Sequence, residues 1–497
     1  MTLMEAFLPM LALVGAVIVV SALLSGWVDR TGVPQVAVFL ALGALIGPYG
    51  LGLLDATAES PVLRVVATLS LVLVLFTDAV SLDLKEVKKH KLLASLVLGP
   101  GTLLSAALIA GAGMWLLKLS LPLAAILGAA VASTDPVLLR GLLRRPALNP
   151  SVRQALRLES GLNDVVLLPI ILVAMQVLSP PAAGEHEWGR MAISMLLLSP
   201  AAGIIVGFAG VSALELMRRR SGVRRDYESI YSLGLAFAAF AAAESVHGSG
   251  FLAAFAAGLT IASIDVELCD CFLEYGETTA EMALLFTFVL FGTSIIWSGV
   301  TEATTATIIF TVAALLLRPL AFLPALMPAK LTWGNRGLIG WFGPRGLSTL
   351  LLVMLAVFGN VDGSAFLLQV CCLVVLVSVA LHGLTPILLV QPGAPAASPT
   401  PDGRDSAPAP ARQPAKTIRL EPVTEAHERA EIITLLDYLE LKESGKDVAL
   451  IDSRTERTYN DREDDVPGSV RVHPERPVAD ANRLKIPKAS RLVVFCA

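Results

Sequence analysis

Charged side chains are scarce in this sequence. Asp, Glu, Lys and Arg make up 16% of its 497 residues, and hydrophobic residues make up 55%. Soluble globular domains carry about 25% charged residues, so the composition excludes a soluble enzyme and indicates a polytopic membrane protein with the lipid bilayer as its partner. The formal net charge is −4, and the lack of a basic block argues against nucleic acid as a partner.

Cysteine is scarce as well, with five residues. Cys269, Cys271, Cys371, Cys372 and Cys496 show no spacing to histidine that is typical of a metal site. Cys371 and Cys372 lie inside an apolar run, where we expect packed thiols. The sequence therefore predicts neither a metal–thiolate centre nor a bound cofactor.

Long apolar runs dominate the first 390 residues. A window of about 20 apolar residues, the length that spans a bilayer as a helix, predicts about thirteen spans and an all-α polytopic fold. The apolar stretch 1–28 is too long for a signal peptide and lacks a good cleavage site, so we expect it to be retained as the first span. The predicted spans are 4–27, 33–48, 61–81, 92–118, 121–140, 155–178, 191–216, 227–246, 249–265, 277–297, 303–327, 335–358 and 363–390.

The connections between these spans differ in charge. Those after spans 1, 3, 5, 7 and 11 carry nearly all the Lys and Arg residues. The positive-inside rule then predicts a cell (inner) membrane protein with its N-terminus outside and its C-terminus in the cytoplasm. The loop at 265–277 is acidic although its parity is cytoplasmic, but acidic residues have little weight in the rule.

The stretch 159–164, Glu-Ser-Gly-Leu-Asn-Asp, lies at the start of a long apolar run. A charged Asp at the centre of a membrane helix costs roughly 2.5–3.5 kcal/mol, so such residues usually face a cavity and have a function. Helical spacing places Ser160 and Asp164 on one face, and Glu159 and Asn163 on the neighbouring face. This cluster of oxygen atoms suits a small hard cation or a proton.

Two spans are interrupted by proline at corresponding places. Span 5 contains Thr134-Asp135-Pro136, and span 12 contains Gly343-Pro344-Arg345-Gly346. Paired broken helices indicate a transporter with an inverted repeat and a site near the midplane of the membrane. Asp135 is suited to offset the positive helix ends and Arg345 the negative ones. Each motif alone is compatible with a proline kink and a surface charge; the two together favour the transporter.

The buried acid Asp164 is suited to bind two ions in turn. Low dielectric disfavours a bare carboxylate, so we expect it to hold either a proton or a monovalent cation. Hard cations prefer oxygen ligands, and Thr134 and Ser160 supply them beside Asp164. Competition for one carboxylate is all that an exchanger requires.

The remaining intramembrane charges need partners. Glu159 is buried by the same argument and requires a cation nearby. Arg318 in span 11 is our first choice and Arg345 our second. Asp78, at the end of span 3, is either an accessory acid near the ion or a helix-end charge at the interface, and the sequence favours neither.

The three motifs at 134–136, 159–164 and 343–346, in this order and spacing, resemble the sodium/proton antiporters of the cation–proton antiporter superfamily. The resemblance covers roughly residues 1–390. It is to the electroneutral branch, which carries Asn-Asp where the electrogenic branch carries Asp-Asp. It implies a thirteen-helix homodimer with crossed broken helices and elevator-type alternating access.

The resemblance also implies roles for single residues. Asp164 would bind the ion and the proton, Asn163 would be its neutral neighbour, and Glu159 would pair with an arginine. The sequence departs from the family at Pro344, where many relatives have Leu, and at Asp78, where some have Glu. With Asn163 neutral, the site carries one charge, so we expect one-for-one exchange on which the membrane potential, worth about 2.3 kcal/mol per charge per 100 mV, does no work.

The composition changes after residue 390. Residues 391–416 are rich in Pro, Ala, Gly and Ser, which is typical of a solvated linker. The predicted domains are therefore a membrane domain, 1–390, this linker and a small α/β cytoplasmic domain, 417–497. Within the last we expect a helix near 426–443 and buried strands at 448–451 and 492–495.

The tail resembles a rhodanese-like (sulfurtransferase) domain at 449–454, 466–470 and 493–497. In that family a cysteine after such a strand heads an anion-binding loop, and Cys496 matches it. The sequence ends one residue later, so we expect no loop amides to stabilise a thiolate and no sulfurtransferase activity. We expect a buried cysteine at a strand end, in a domain that is truncated or that serves regulation or dimer contact.

Two alternatives from other classes remain. A membrane-anchored sulfurtransferase or thiol sensor would use the tail, although thirteen spans with buried acids exceed what an anchor needs. A cation channel would want filter repeats or a symmetric pore lining, and the sequence contains neither. The leading hypothesis is a secondary antiporter, not an enzyme, that exchanges Na⁺ or K⁺ for H⁺. The sequence does not choose among Na⁺, K⁺ and Li⁺.

Overall fold

The structure is a computed structural model, and the chain divides into two units, 1–401 and 402–497. The residues that it describes are 15, 19–20, 23, 35–82, 84–143, 148–178, 194–221, 225–264, 270–389, 448–453, 468–472, 480, 483–484 and 491–495.

Helices make up almost all of the described part of the first unit. A π-helical segment, Val97–Gly101, joins α4 to α5 and has Pro100 inside it. The helices are α1 (Gln35–Ile46), α2 (Pro61–Val80), α3 (Leu84–Lys89), α4 (Lys91–Leu96), α5 (Thr102–Leu116), α6 (Leu121–Ala132), α7 (Pro136–Leu143), α8 (Pro150–Leu178), α9 (Ser199–Ser221), α10 (Arg225–Ser245), α11 (Gly250–Ile264), α12 (Asp270–Thr293), α13 (Ser298–Thr301), α14 (Thr305–Ala325), α15 (Trp333–Trp341), α16 (Leu347–Phe358) and α17 (Ser364–Leu389).

These helices make the chain a multi-pass membrane protein. Seven of those in the described residues are long and apolar enough to cross a membrane, or eight if one bent pair counts as a single span. Four shorter apolar helices lie where spans 2, 8, 9 and the second half of span 12 were predicted. The total of thirteen stays a prediction, because most of the predicted first span, 4–27, lies outside the described residues.

Several predicted span limits differ from the helix limits: α9 continues to Ser221, where span 7 was expected to end near 216, and α12 begins at Asp270, where span 10 was expected from about 277. Span 6 was expected from 155, but α8 begins at Pro150, because proline suits the first helical position and the Asn149 side chain accepts a hydrogen bond from the Ser151 amide at 2.9 Å. Span 10 was expected to end at 297, but after a 59° bend the helix continues to Thr301. Hydropathy detects the apolar core of a span and misses helix that continues beyond it.

Small and hydroxyl residues bring neighbouring helices together. A Cβ added at Gly43 of α1 would lie 2.7 Å from the Cα of Gly292 on α12, so only glycine allows this approach. The hydroxyls of Ser70 on α2 and Thr287 on α12 are hydrogen-bonded at 2.9 Å. The hydrophobic effect does not drive apolar helices together in lipid, so close packing and interhelical hydrogen bonds stabilise their association.

The structure breaks the helix at both places where proline interrupts a predicted span. α6 ends at Ala132 and α7 begins at Pro136, while α15 ends at Trp341 and α16 begins at Leu347. The two breaks touch, because the amide of Asp135 donates to the carbonyl of Pro344 at 3.0 Å. Extended backbone from two distant parts of the sequence therefore meets inside the helix bundle.

The helices form two packed groups. α1, α2 and α9 to α12 pack mainly on one another, and so do α4 to α8 with α14 to α17. The groups meet where α2 lies against α8 and α16. At one end of α2, Arg64 donates to the carbonyl of Phe358 at 2.7 Å and lies 5.4 Å from the centre of its ring.

The second unit contains a three-stranded sheet of β1 (Val448–Asp452), β2 (Ser469–Arg471) and β3 (Arg491–Phe495). β1 is central and pairs in parallel with both others. The strands predicted at 448–451 and 492–495 are confirmed as strands, and β2 is additional. The burial expected of the second was wrong, because Leu492 and Val494 are each 57% exposed. The helix predicted at 426–443 and Cys496 lie outside the described residues.

Candidate functional site

Asp135 joins the N-terminal ends of two half-helices. One carboxylate oxygen, Oδ1, accepts from the amide of Val137 at 2.8 Å in α7, and the other, Oδ2, accepts from the amide of Leu347 at 2.7 Å in α16. The carboxylate thus meets two helix ends that carry positive partial charge. Gly346 is required beside it, because a Cβ there would collide with the carboxylate.

Arg345 lies at the C-terminal end of α6 instead. Its Nη1 donates to the carbonyls of Ala132 at 3.0 Å and Ser133 at 3.1 Å, which a continuous helix would have used for its own hydrogen bonds. The residue is fully buried, and its Nε and Nη2 have no hydrogen-bond partner among the described residues. Arg345, the second choice as partner of Glu159, is therefore not the residue that pairs with it.

The partner of Glu159 is Arg318. The two side chains form a bidentate pair in which Nη1 bonds Oε1 and Nη2 bonds Oε2 at 2.7 Å. The Arg318 guanidinium also donates to the carbonyls of Gly340 at 2.9 Å and Ile339 at 3.1 Å. Removing one partner of such a buried pair costs about 3–5 kcal/mol, so the pair fixes α8 and α14 to the end of α15.

The buried carboxylate Asp164 contacts the first break directly. Its Oδ1 accepts a hydrogen bond from the Ser133 hydroxyl at 2.8 Å. The Thr134 hydroxyl, expected at the ion, instead accepts a hydrogen bond from the side-chain Nδ2 of Asn163 at 2.8 Å. The Oδ1 of Asn163 is buried without a hydrogen-bond partner among the described residues. Sequence analysis missed Ser133, although it is adjacent to Thr134 in the interrupted span.

A cavity of about 630 Å³ lies beside the site. Ser160 and Gly161 line it, and Asp164 lies one helical turn beyond Ser160 on α8. Asp78 lines it as well, together with two acids of α12 that sequence analysis missed, Glu277 and Glu281. The sequence signal for these two acids was their spacing of four residues at the start of the apolar span predicted at 277–297.

The candidate ligands of a cation are therefore oxygen atoms. Among the described residues, no group of three or more His, Cys, Asp or Glu side chains is arranged to hold a metal ion. The remaining candidate ligands are the Asp164 carboxylate, the hydroxyls of Ser133, Thr134 and Ser160, and the backbone carbonyls freed by the α6–α7 break. Such a set suits a monovalent cation better than a transition metal.

Fold and site together define a class: a membrane transporter in which the breaks of two helices meet beside a buried carboxylate. Residues 19–391 match the family described as "Sodium/hydrogen exchanger, transmembrane", and the chain belongs to that family. The match covers the described helices from α1 to α17.

Several relatives agree with this assignment. The chain is 24% identical over 387 residues to the K(+)/H(+) antiporter NhaP of Alkalimonas amylolytica, covering 76% of this chain and 66% of that protein. It is 25% identical over 380 residues to the K(+)/H(+) antiporter NhaP2 of Shewanella sp. (strain ANA-3), covering 75% and 65%. The chain thus spans just under two thirds of the length of these relatives.

One solved structure shares the fold. The sodium proton antiporter MjNhaP1 from Methanocaldococcus jannaschii superposes with a TM-score of 0.64 at 18% sequence identity, covering 76% of this chain and 100% of that one. At this identity the likeness concerns the fold alone. The shared fold supports the assignment of the described helices to one membrane unit.

Proposed function

We propose that the protein is a secondary active antiporter that exchanges a monovalent cation for a proton across a membrane. The family supports this, as do the activities for which its relatives are named, K(+)/H(+) and Na(+)/H(+) antiport. The single observation that carries the proposal is Asp164, a carboxylate that is 8% exposed, is bonded to a hydroxyl at the α6–α7 break, and lies one turn from a cavity.

The exchange rests on competition for that carboxylate. A buried carboxylate is stabilised either by a proton or by a cation that replaces its lost hydration. Ser160, Thr134 and Ser133 supply further oxygen ligands, and the neutral Asn163 adds no charge. The proposed cation is Na⁺, with K⁺ and Li⁺ as the alternatives that the flux measurement below compares.

The charges around Asp164 favour one-for-one exchange. Glu159 is neutralised by Arg318, and Asp135 lies at the break with the buried Arg345. The carboxylate of Asp164 is then the charge that a bound proton or a bound monovalent cation cancels. The site moves neutral in either case, so the cycle carries no net current.

The cavity supplies access from one side. It borders Ser81 and Leu82 after α2, Leu143 at the end of α7 and Gln154 near the start of α8, beside stretches of the sequence that are rich in Lys and Arg. By the positive-inside rule this side is the cytoplasm, with the N-terminus outside and the C-terminus inside a cell (inner) membrane. Alternating access then requires one helix group to move against the other, as in an elevator-type homodimer.

The proposal treats the linker and the tail as parts of the chain that do not take part in transport. We propose the domain limits 391–416 for the linker and 417–497 for a partial rhodanese-like domain. The parallel sheet of β2, β1 and β3 supports an α/β unit. It adds nothing in favour of sulfurtransferase chemistry, so transport remains the single proposed activity.

Proton flux in inverted membrane vesicles tests the proposal. Vesicles that contain the protein are acidified inside, and NaCl, KCl or LiCl is added while a fluorescent probe follows the pH gradient. We expect at least one cation to collapse the gradient, and Asp164→Asn to abolish the response at equal protein amount. No response to any cation contradicts the function; a response that survives in Asp164→Asn contradicts the site.

A further inference from the structure

The C-terminal end of α15 has an unusual set of hydrogen-bond donors. A helix leaves its last four carbonyls without intrahelical partners, and here Pro344 follows the helix and has no N–H to offer. The carbonyl of Leu338 accepts from the amide of Phe342 at 2.9 Å. Those of Ile339 and Gly340 accept from Arg318.

The fourth carbonyl, that of Trp341, is held by a residue outside the proposed ion site. It accepts from the amide of Gly343 at 2.9 Å in a tight turn, and it lies 3.0 Å from Nε2 of His382 on α17. A carbonyl oxygen only accepts, so this contact calls for a ring proton on Nε2; Nδ1 lies 3.1 Å from a second such acceptor, the backbone carbonyl of Ser378. His382 is 8% exposed, and its ring centre lies 5.7 Å from that of Trp341.

The other ring nitrogen continues this contact to the far side of the break. Nδ1 of His382 lies 3.1 Å from the hydroxyl of Ser378, one turn earlier on α17. That hydroxyl accepts from the backbone amide of Arg345 at 2.7 Å. With its own proton directed to Nδ1, the order runs from the Arg345 amide through Ser378 and His382 to the Trp341 carbonyl. The two side chains therefore bridge the break in the α15–α16 span.

The bridged segment is also the segment that contacts the ion site. Between Trp341 and Arg345 lies Pro344, whose carbonyl holds the Asp135 amide, and next to Asp135 are the hydroxyls that face Asp164 and Asn163. A shift of the α15–α16 break therefore displaces cation ligands on the other broken helix.

We propose that His382 and Ser378 are positioning residues for the ion site: from α17 they fix the α15–α16 break, and through it the hydroxyls beside Asp164. The inference rests on the proposed exchange function and adds to it two residues that neither carry nor neutralise the transported ion. A neutral ring with its proton on Nε2 donates to the Trp341 carbonyl and accepts from the Ser378 hydroxyl, which are the two contacts that bridge the break.

Side-chain substitutions separate the two ends of the bridge. His382→Gln keeps an amide that reaches the Trp341 carbonyl, His382→Asn keeps a partner for Ser378, and His382→Leu keeps neither. Ser378→Ala removes the acceptor of the Arg345 amide. The matched control is Thr385→Val on the same helix, because the Thr385 hydroxyl bonds only the carbonyl of Leu381 in its own helix among the described residues.

Proton flux against cation concentration in vesicles is the measurement, with thermal unfolding of each purified variant beside it. We expect His382→Leu and Ser378→Ala to raise the half-saturating cation concentration about tenfold, which corresponds to about 1.4 kcal/mol. The maximal rate per folded protein changes less. His382→Gln should stay within about threefold of the parent, and Thr385→Val should match it.

The outcomes are distinguishable. A parent without exchange overturns the proposed function. A parent that exchanges, with His382→Leu and Ser378→Ala at the parental half-saturation, leaves the function standing and overturns the positioning role. A loss in every variant that only follows the loss of folded protein also overturns it, since packing alone then explains the pair. Should His382→Leu not fold, His382→Gln, His382→Asn and Ser378→Ala decide the question.

Discussion

At the scale of single residues, the site consists of polar side chains paired across different helices. Ser133 bonds Asp164, and Thr134 bonds Asn163, so the α6–α7 break and α8 are joined twice within two residues on each. Most buried polar groups in proteins are hydrogen-bonded, and these two contacts give a partner to the Asp164 carboxylate and to the Thr134 hydroxyl. These two hydrogen bonds hold the Asp164 carboxylate in position. In the proposed function it can still exchange a proton for a cation.

The Ser133 hydroxyl is predicted to tune cation binding. Ser133→Ala removes the donor to Asp164 and one candidate ligand, so we expect the half-saturating cation concentration for proton flux to rise about fivefold to tenfold, the effect of about one buried hydrogen bond. Ser105→Ala is the control, because the Ser105 hydroxyl on α5 is buried without a hydrogen-bond partner in the described residues. Equal half-saturation in both variants would show that Ser133 is not part of the site.

The Glu159–Arg318 pair is predicted to act on stability first. Glu159→Gln leaves a buried guanidinium without its counter-charge, and we expect a loss of about 3–5 kcal/mol, seen as a lower unfolding temperature in detergent. Glu159→Gln combined with Arg318→Gln should recover part of that loss, because no unpaired charge then remains. Unchanged unfolding of Glu159→Gln would contradict the assignment of this pair as structural.

At the scale of elements, the two broken helices work as one unit. Each break exposes helix ends of opposite partial charge, and a side chain of the opposite type meets each of the four ends: Asp135 at α7 and α16, Arg345 at α6, and Arg318 at α15. The charges are buried, but each has backbone partners on both broken spans or across them. This arrangement makes extended backbone tolerable inside a membrane.

Glycine at the second break is predicted to be obligatory. A methyl group at Gly346 would collide with the Asp135 carboxylate, so we expect Gly346→Ala to abolish exchange and lower the unfolding temperature. Gly337→Ala in α15 is the matched control, because a Cβ there meets nothing within 4 Å. If Gly346→Ala transports like Gly337→Ala, the breaks are not packed as described.

The sequence was most informative at prolines and charged residues that lie inside apolar runs. Prolines and charges inside apolar runs located both breaks, and the same contrast singled out the stretch 159–164. The contacts between the two breaks could not be predicted from the sequence. Helical spacing relates residues of one helix and does not show which residues of another helix they contact. Ser133, Ser378 and His382 were missed for that reason, because the sequence does not show that the α6–α7 and α15–α16 breaks are in contact.

At the scale of the whole molecule, transport requires the two helix groups to change their relative position. The cavity lies between them at one end of α2, and the Arg64 contact to α16 lies at the opposite end, about 20 Å away at 1.5 Å per helical residue. A cavity at one end and a contact at the other are consistent with the alternating access that we propose.

Electroneutrality is a property of the whole cycle. If one proton replaces one cation at Asp164, a cation gradient should drive proton flux in reconstituted membranes without steady current, and the flux should not change with clamped voltage. A mutant with a second site charge, Asn163→Asp, is the comparison in which current is expected. Steady cation-driven current through the parent protein would refute one-for-one exchange.

Competition at Asp164 is tested most directly by counting protons on cation binding. Purified protein in weakly buffered detergent solution, at a pH where the carboxyl is protonated, is titrated with NaCl or KCl while a dye reports pH, with choline chloride as the control for ionic strength. The account predicts proton release that saturates near one per chain and disappears in Asp164→Asn. Cation binding without proton release, or undiminished release from Asp164→Asn, would contradict it.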